Sequence, residues 1–314
     1  MKKIVLLSLC VALLACCKGA PAPQSRIIFD TDLGNDVDDA IALVMLHRYI
    51  DQGMTEVLAE GLSKEGPGPV ACMDIFNRWY GHPDIPFGTV RDGADCEADA
   101  VNYARAVADI YQSEACDSTT VEAHLLYRDI LKDQPDGSVT MIAVGFSTNL
   151  ARLLALDKDL MVQKVRQIVL MAGNFTGEQT SEYNVFKDIA SARYIVDNWP
   201  GEIVFSPFEL GIQVNYPGAV IEGSFSDPEP LTDAYKAYLP MPYDRPCWDP
   251  TALIWAVEGE SFFTVSEPGT VSISEEGVTT FEPSPEGLHR VLSATPEQAG
   301  VLVEHIVSLT THEN

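Results

Sequence analysis

The chain has 314 residues, 46% hydrophobic and 21% charged, an ordinary globular composition with enough apolar material for a substantial core. Its formal net charge of -26 excludes nucleic-acid polymers and anionic membrane surfaces as partners, because like charges repel, and leaves a neutral small molecule free to bind.

Met1-Lys2-Lys3 followed by an apolar run from Ile4 to Leu14 has the charged start and short core of a secretory signal. That run is too short to span a bilayer as a stable helix. Leu13-Leu14-Ala15-Cys16 resembles a bacterial lipoprotein cleavage site, with Cys16 as the lipidated residue; a buried N-terminal helix is the competing reading. The division expected is a signal peptide over 1–15, the lipidated cysteine and a Pro-rich tether over 16–25, and one domain over 26–314. Loss of Lys2 and Lys3 with the signal takes the net charge from -26 to -28. The domain is then expected outside the cytoplasm, in the periplasm or at the cell surface, touching a bacterial membrane only through its lipid. Among Cys10, Cys16, Cys17, Cys72, Cys96, Cys116 and Cys247 no metal-type Cys-x-x-Cys spacing occurs, and a Cys96–Cys116 disulfide is left open.

From residue 26 onward strand-like and helix-like segments alternate without internal repeats. Strands are expected at 27–30, 56–61, 85–89, 139–144, 167–171 and 202–206, and helices at 38–51, 69–80, 101–111, 120–132, 148–156 and 188–198. A helix over 251–257, short β pieces at 263–265, 271–274 and 278–281, and a closing helix over 296–309 packed back on the sheet complete the chain. The fold class this implies is α/β and Rossmann-like: a mainly parallel central sheet flanked by helices, with a small antiparallel excursion near the C-terminus.

Where the first strand hands over to the first helix stands Asp30-Thr31-Asp32-Leu33-Gly34-Asn35-Asp36-Val37-Asp38-Asp39, five aspartates in ten positions. In open α/β sheets ligands bind outside the carboxyl ends of strands. So many like charges are costly together, and a bound cation relieves them; all the donors are hard oxygens, which suits Ca²⁺ or Mg²⁺ over zinc. A solvated loop with one capping Asp needs fewer acids. An EF-hand loop would place a bidentate Glu where Ile41 stands, and it would follow a helix instead of a strand. A phosphatase of the haloacid-dehalogenase type, with Asp30 as nucleophile and Asp32 as acid, is the runner-up, although its loop normally carries Thr or Val at the position of Gly34.

Three later stretches follow in order. Met141-Ile142-Ala143-Val144-Gly145-Phe146-Ser147-Thr148-Asn149-Leu150 is a strand, a glycine turn and a helix start; a polar loop running from Asn174 to Ser181-Glu182-Tyr183-Asn184 precedes an Asp188-capped helix; and Trp248-Asp249-Pro250 opens the late helix. Read alone, they say only βα unit, solvated loop and helix cap. Together with the acidic loop they resemble the inosine-uridine-preferring nucleoside hydrolase family, in a form with two extra residues between Gly34 and the Asp38-Asp39 pair.

The resemblance implies Ca²⁺ held by Asp32, Asp39, Asp249 and the Val144 backbone carbonyl, with Asp32 also the base that takes a proton from the attacking water. It implies a nucleoside held by Asp38, Asn174, Glu182 and Asn184, a homo-oligomer such as the family often forms, and release of free base and pentose. Asp36 competes with Asp38 and Asp39 for their roles. Two positions depart from the family pattern. Trp248 stands where a proton-donating His is usual; an indole is no general acid but can stack on a base or fill an apolar gap. The loop after the second strand lacks an Asn, leaving Ser63 or Lys64 as substitutes. These departures keep open a second class of function, a non-catalytic nucleoside- or sugar-binding lipoprotein.

Overall fold

The computed structural model describes residues 25–94, 102–177 and 180–311. The signal, the Cys16 anchor, the tether as far as 24, and Cys96 with its suggested disulfide lie outside the described residues.

β1 (Ser25–Thr31) leads into α1 (Asp38–Asp51) and β2 (Thr55–Leu62), followed by α2 (Pro69–Trp79) and β3 (Phe87–Thr89). Helices α3 (Tyr103–Tyr111) and α4 (Ala123–Leu131) return the chain to β4 (Val139–Ala143), then come α5 (Thr148–Leu156), α6 (Lys158–Lys164) and β5 (Val165–Met171). The short α7 (Tyr183–Lys187) and α8 (Ile189–Asn198) precede β6 (Glu202–Ser206) and the single turn α9 (Phe208–Gly211). A pair of two-residue strands, β7 (Asn215–Tyr216) and β8 (Arg245–Pro246), brackets α10 (Gly218–Ser224) and α11 (Pro230–Tyr238). After α12 (Trp248–Glu258) and a 3₁₀ turn (Gly259–Phe262) come β9 (Thr264–Val265), β10 (Gly269–Ile273), β11 (Thr279–Pro283), β12 (His289–Ser293) and α13 (Pro296–Thr311).

The main sheet runs β11-β10-β12-β6-β5-β4-β1-β2-β3, parallel from β12 to β3, with β9 paired antiparallel to β12. The chain steps outward from β1 to β3 and restarts at β4 on the other side of β1. That reversal opens a crevice at the carboxyl ends of β1 and β4, where such sheets bind ligands. Apolar residues alternate between two cores as the period-2 pleat requires. Ile27, Phe29, Ile142, Val169 and Val204 face one core, and Ile28, Met141, Ile168, Ile203 and Phe205 face the other. Burial on both faces explains why β1 reads as an unbroken apolar run.

Three expectations change. β12 was not expected as a strand, yet it extends the parallel sheet beside β6. Helix α12 begins at Trp248, with Cys247 at its N-cap, so Asp249 sits in the first turn and does not cap it. The closing helix has α1, β7 and the 3₁₀ turn as its main neighbours, so it covers the outside of α1 instead of the sheet. With α12 on it as well, α1 is buried from Asp38 through His47, and its apolar residues are not confined to one side.

Candidate active site

A cavity of about 290 Å³ opens at the carboxyl ends of β1, β4, β5 and β6, near the lower end of the usual small-molecule range of about 300–1,000 Å³. Its walls are Asp32, Asn35, Asp36, Asp38, Asp39, Val144, Met171, Glu182, Tyr183, Asn184, Phe208, Trp248 and Asp249. Residues near the start of the chain and around 249 therefore converge on one site.

The acidic floor is made by two helix starts. Asp38 and Asp39 lie in the first turn of α1 and Asp249 in the first turn of α12, ends at which backbone N–H groups favour negative charge. Oxygens of these three buried carboxyls lie within 4.8 Å of one another. Burial first, then the neighbouring acids, pushes all three well above the usual carboxylate range: Asp36 acts on Asp38, Asp32 and Asp38 on Asp39, and Asp38 and Asp39 on Asp249. Among the described residues no Lys, Arg or His lines the cavity. Hard oxygen donors with unrelieved mutual repulsion fit a hard divalent cation. Asp32 lies outside the tight trio but on the same wall, while Asp38, expected to meet substrate, belongs to the trio.

Asp36 is taken out of the contest by Arg245, whose Nε donates to it at 2.7 Å and whose Nη2 donates to its second oxygen. Asp38 accepts the backbone N–H groups of Trp248 at 2.8 Å and Asp249 at 3.1 Å, serving as the cap that α12 lacks locally. The Thr31 hydroxyl donates to Asp39. Gly145 is needed where it stands: a Cβ there would come within 2.5 Å of the Asp32 backbone nitrogen and of the Ser63 hydroxyl.

Asn184 donates from Nδ2 to the Val144 carbonyl at 2.7 Å and to the Met171 carbonyl at 3.0 Å, tying the ends of β4 and β5 together. Glu182 caps α7, accepting N–H groups from Asn184, Val185 and Gly173, and burial raises its carboxyl to about 7. Asp188 caps α8 as expected, accepting the Ser191 N–H at 3.1 Å.

The upper wall is aromatic. Trp248 stacks on Phe208 with centroids 5.7 Å apart, its indole N–H donates to the Phe208 carbonyl at 2.9 Å, and the Arg245 guanidinium lies 5.3 Å from its ring. Trp248 is half-buried: it packs against the hydrophobic core on one side and faces the cavity on the other.

Four expected positions are placed elsewhere. Asn174 is not part of the cavity wall; its backbone exchanges hydrogen bonds with the Thr279 hydroxyl. Neither Ser63, whose hydroxyl accepts the Phe146 N–H, nor Lys64 reaches the wall. Asp30 is sealed beneath the floor, accepting from Tyr127 at 2.6 Å and Asn149 at 2.8 Å, which leaves no access for a phosphoryl group and removes the phosphatase reading. Asn35, Met171, Tyr183 and Phe208 were missed. Phe208 carried the usable signal, since it follows the carboxyl end of an expected strand.

Residues 27–305 match the profile described as inosine-uridine preferring nucleoside hydrolase. Among solved structures, a plant nucleoside hydrolase (PpNRh1) superposes with a TM-score of 0.71 at 20% identity, covering 91% of this chain and 99% of that one. An inosine-guanosine nucleoside hydrolase gives 0.73 at 17% identity, over 92% and 100% of the two chains. A purine-preferring ribonucleoside hydrolase from Gardnerella vaginalis gives 0.69 at 17%, over 91% and 99%. No curated protein matches by sequence. The four motifs in their order, their convergence on one acidic cavity and the match over nearly the whole chain agree: the protein belongs to the inosine-uridine preferring nucleoside hydrolase family.

Proposed function

We propose that the protein hydrolyses the N-glycosidic bond of a nucleoside in a calcium-dependent reaction, giving free base and pentose. The observation that carries this reading is the buried Asp38–Asp39–Asp249 trio at the floor of a cavity with an aromatic wall. Asp39, Asp249 and Asp38, with Asp32 and the Val144 carbonyl beside them, are the groups that would hold Ca²⁺. When bound, the ion supplies Lewis acidity, making water easier to deprotonate and gathering hydroxyl oxygens of the sugar. The Asp32 carboxylate takes the proton of the attacking water. As the bond from C1′ to the base lengthens, the sugar becomes oxocarbenium-like, and the acidic wall faces that developing charge, with the Glu182 carboxyl oxygens beside it as acceptors. Asn184 holds the Val144 carbonyl in place and Trp248 offers the base a flat apolar face.

A panel of nucleosides assayed for liberated base, with and without chelator, tests the reading. Base release that stops on chelation and returns with Ca²⁺ is the expected result; release unaffected by chelation and by Asp32→Ala contradicts it. The tied indole N–H of Trp248 favours one second reading, a non-catalytic nucleoside- or sugar-binding protein. Calorimetric binding of ribonucleosides without turnover of any would establish that reading. For the cellular setting we propose a lipid anchor at Cys16 and an extracytoplasmic domain; among the described residues no helix is long and apolar enough to cross a membrane.

A further inference from the structure

We infer that the Tyr183 hydroxyl is the acid that protonates the departing base. The inference rests on the hydrolytic reading above and adds to it the proton donor that Trp248 does not supply. A neutral base expelled from C1′ carries off the bonding electron pair and leaves as an anion unless a donor meets it.

Depth sorts the cavity wall into two levels. Asp32 and Asp249 are 5% exposed, and Asp38 and Asp39 1%, whereas Tyr183 is 37% and Phe208 40% exposed. A nucleoside whose sugar rests on the acidic floor presents its base to that upper level. Few groups there have a proton to give. The indole N–H of Trp248 is already donated to the Phe208 carbonyl at 2.9 Å, and Asp36 is held as an acceptor by Arg245. The amide of Asn35 is no acid. Glu182, with its carboxyl raised to about 7, lies at the lower level: it is 6% exposed, feels the charge of Asp32, and turns both oxygens to backbone N–H groups. That leaves the Tyr183 phenol, a side chain suited to general acid catalysis.

Its surroundings favour the role. One turn along α7, the Lys187 ammonium lies 5.1 Å from the centroid of the Tyr183 ring, and Phe146 packs beside the ring at 6.2 Å. A cation so close favours the phenolate, so the phenol releases its proton more readily than it would in water.

The step balances. Water forms the new C1′–O bond, and its proton goes to the Asp32 carboxylate. The C1′–N bond breaks with its electron pair moving onto the base, which takes the Tyr183 proton and leaves as a neutral molecule. The proton on Asp32 returns to the phenolate through solvent, so nucleoside and water give base and pentose.

The test sets inosine and uridine, whose bases need a proton, against p-nitrophenyl riboside, whose nitrophenolate leaves without one. Tyr183→Phe removes a single oxygen and keeps the ring, so its urea midpoint is expected to match the wild type. In the calcium-loaded variant kcat for the nucleosides is expected to fall by about 10²–10⁴-fold, the contribution of a positioned general acid. The ratio of nucleoside to nitrophenyl turnover is expected to collapse by the same factor. Glu182→Gln is expected to slow both kinds of substrate together and leave that ratio in place. A ratio unchanged in Tyr183→Phe, or one that collapses in Glu182→Gln instead, overturns this inference and leaves nucleoside hydrolysis standing. A wild type that hydrolyses p-nitrophenyl riboside but neither nucleoside has no working donor and overturns it as well. Turnover of none of the three removes the hydrolytic reading and this inference with it.

Discussion

Asp38 reaches across the molecule to Trp248, accepting its backbone N–H at 2.8 Å, so an acid from the first loop organises the helix that carries Asp249. The contact does two things. It caps α12 in place of a local side chain, and it ties Asp38 to the segment that carries Asp249, so two of the three floor carboxyls are brought together by the protein itself.

Asp38→Ala is therefore expected to cost about 0.5–2 kcal/mol in chelator, the usual cost of losing a cap, and to weaken Ca²⁺ binding as well. Urea melts in chelator and calcium titration calorimetry check the two halves separately. A variant that melts like the wild type in chelator would show that the bridge is not felt.

Asp36 and Arg245 form the second bridge between the same two segments. A double-mutant cycle with Asp36→Asn and Arg245→Gln is expected to give a coupling of about 0.5–3 kcal/mol, so that the double variant loses less than the sum of the singles. Strict additivity would mean that the pair is incidental.

Gly145→Ala inserts a methyl group against the backbone of Asp32 and the hydroxyl of Ser63. Overpacking of this kind costs about 1–3 kcal/mol. Because Asp32 itself is displaced, base release is expected to fall further than stability alone explains, which turnover measured well below the melting temperature will show.

The buried carboxyls of Asp30 and Glu60 are each raised to about 7, chiefly by burial. In the unfolded chain they ionise near about 4. Between those values the native state holds protons that the unfolded chain has released, so these groups make stability fall as pH rises through the window. Asp30→Asn removes one of them. Its stability relative to wild type, followed by urea midpoint in chelator, is expected to improve steadily from about pH 4 to about pH 7 and then level off. Parallel curves would contradict the assignment.

The parts of the site legible in the sequence were those with a local chemical signature. Asp32, Asp38 and Asp39 stand out because an apolar strand does not run into five acids without something to balance them. Val144 had no side-chain signal and was reached only through the motif around Gly145. Trp248 is recognisable from its side chain alone as no general acid, but its tie to Phe208 is tertiary and invisible locally. The start of α12 was misplaced for the same reason: its cap is Asp38, more than two hundred residues earlier. β12 escaped because His289-Arg290-Val291-Leu292-Ser293 has little alternation and earns its place only by lying beside β6. Asn174 was assigned through a lengthened loop, and the structure turns its backbone toward Thr279.

The most direct measurement is anomalous diffraction from crystals grown with calcium. One ion is expected per chain, with carboxylate oxygens of Asp39 and Asp249 and the Val144 carbonyl at about 2.3–2.6 Å. No peak in this cavity, or a peak whose ligands exclude both Asp39 and Asp249, would contradict the claim that the two ends of the chain share one cation.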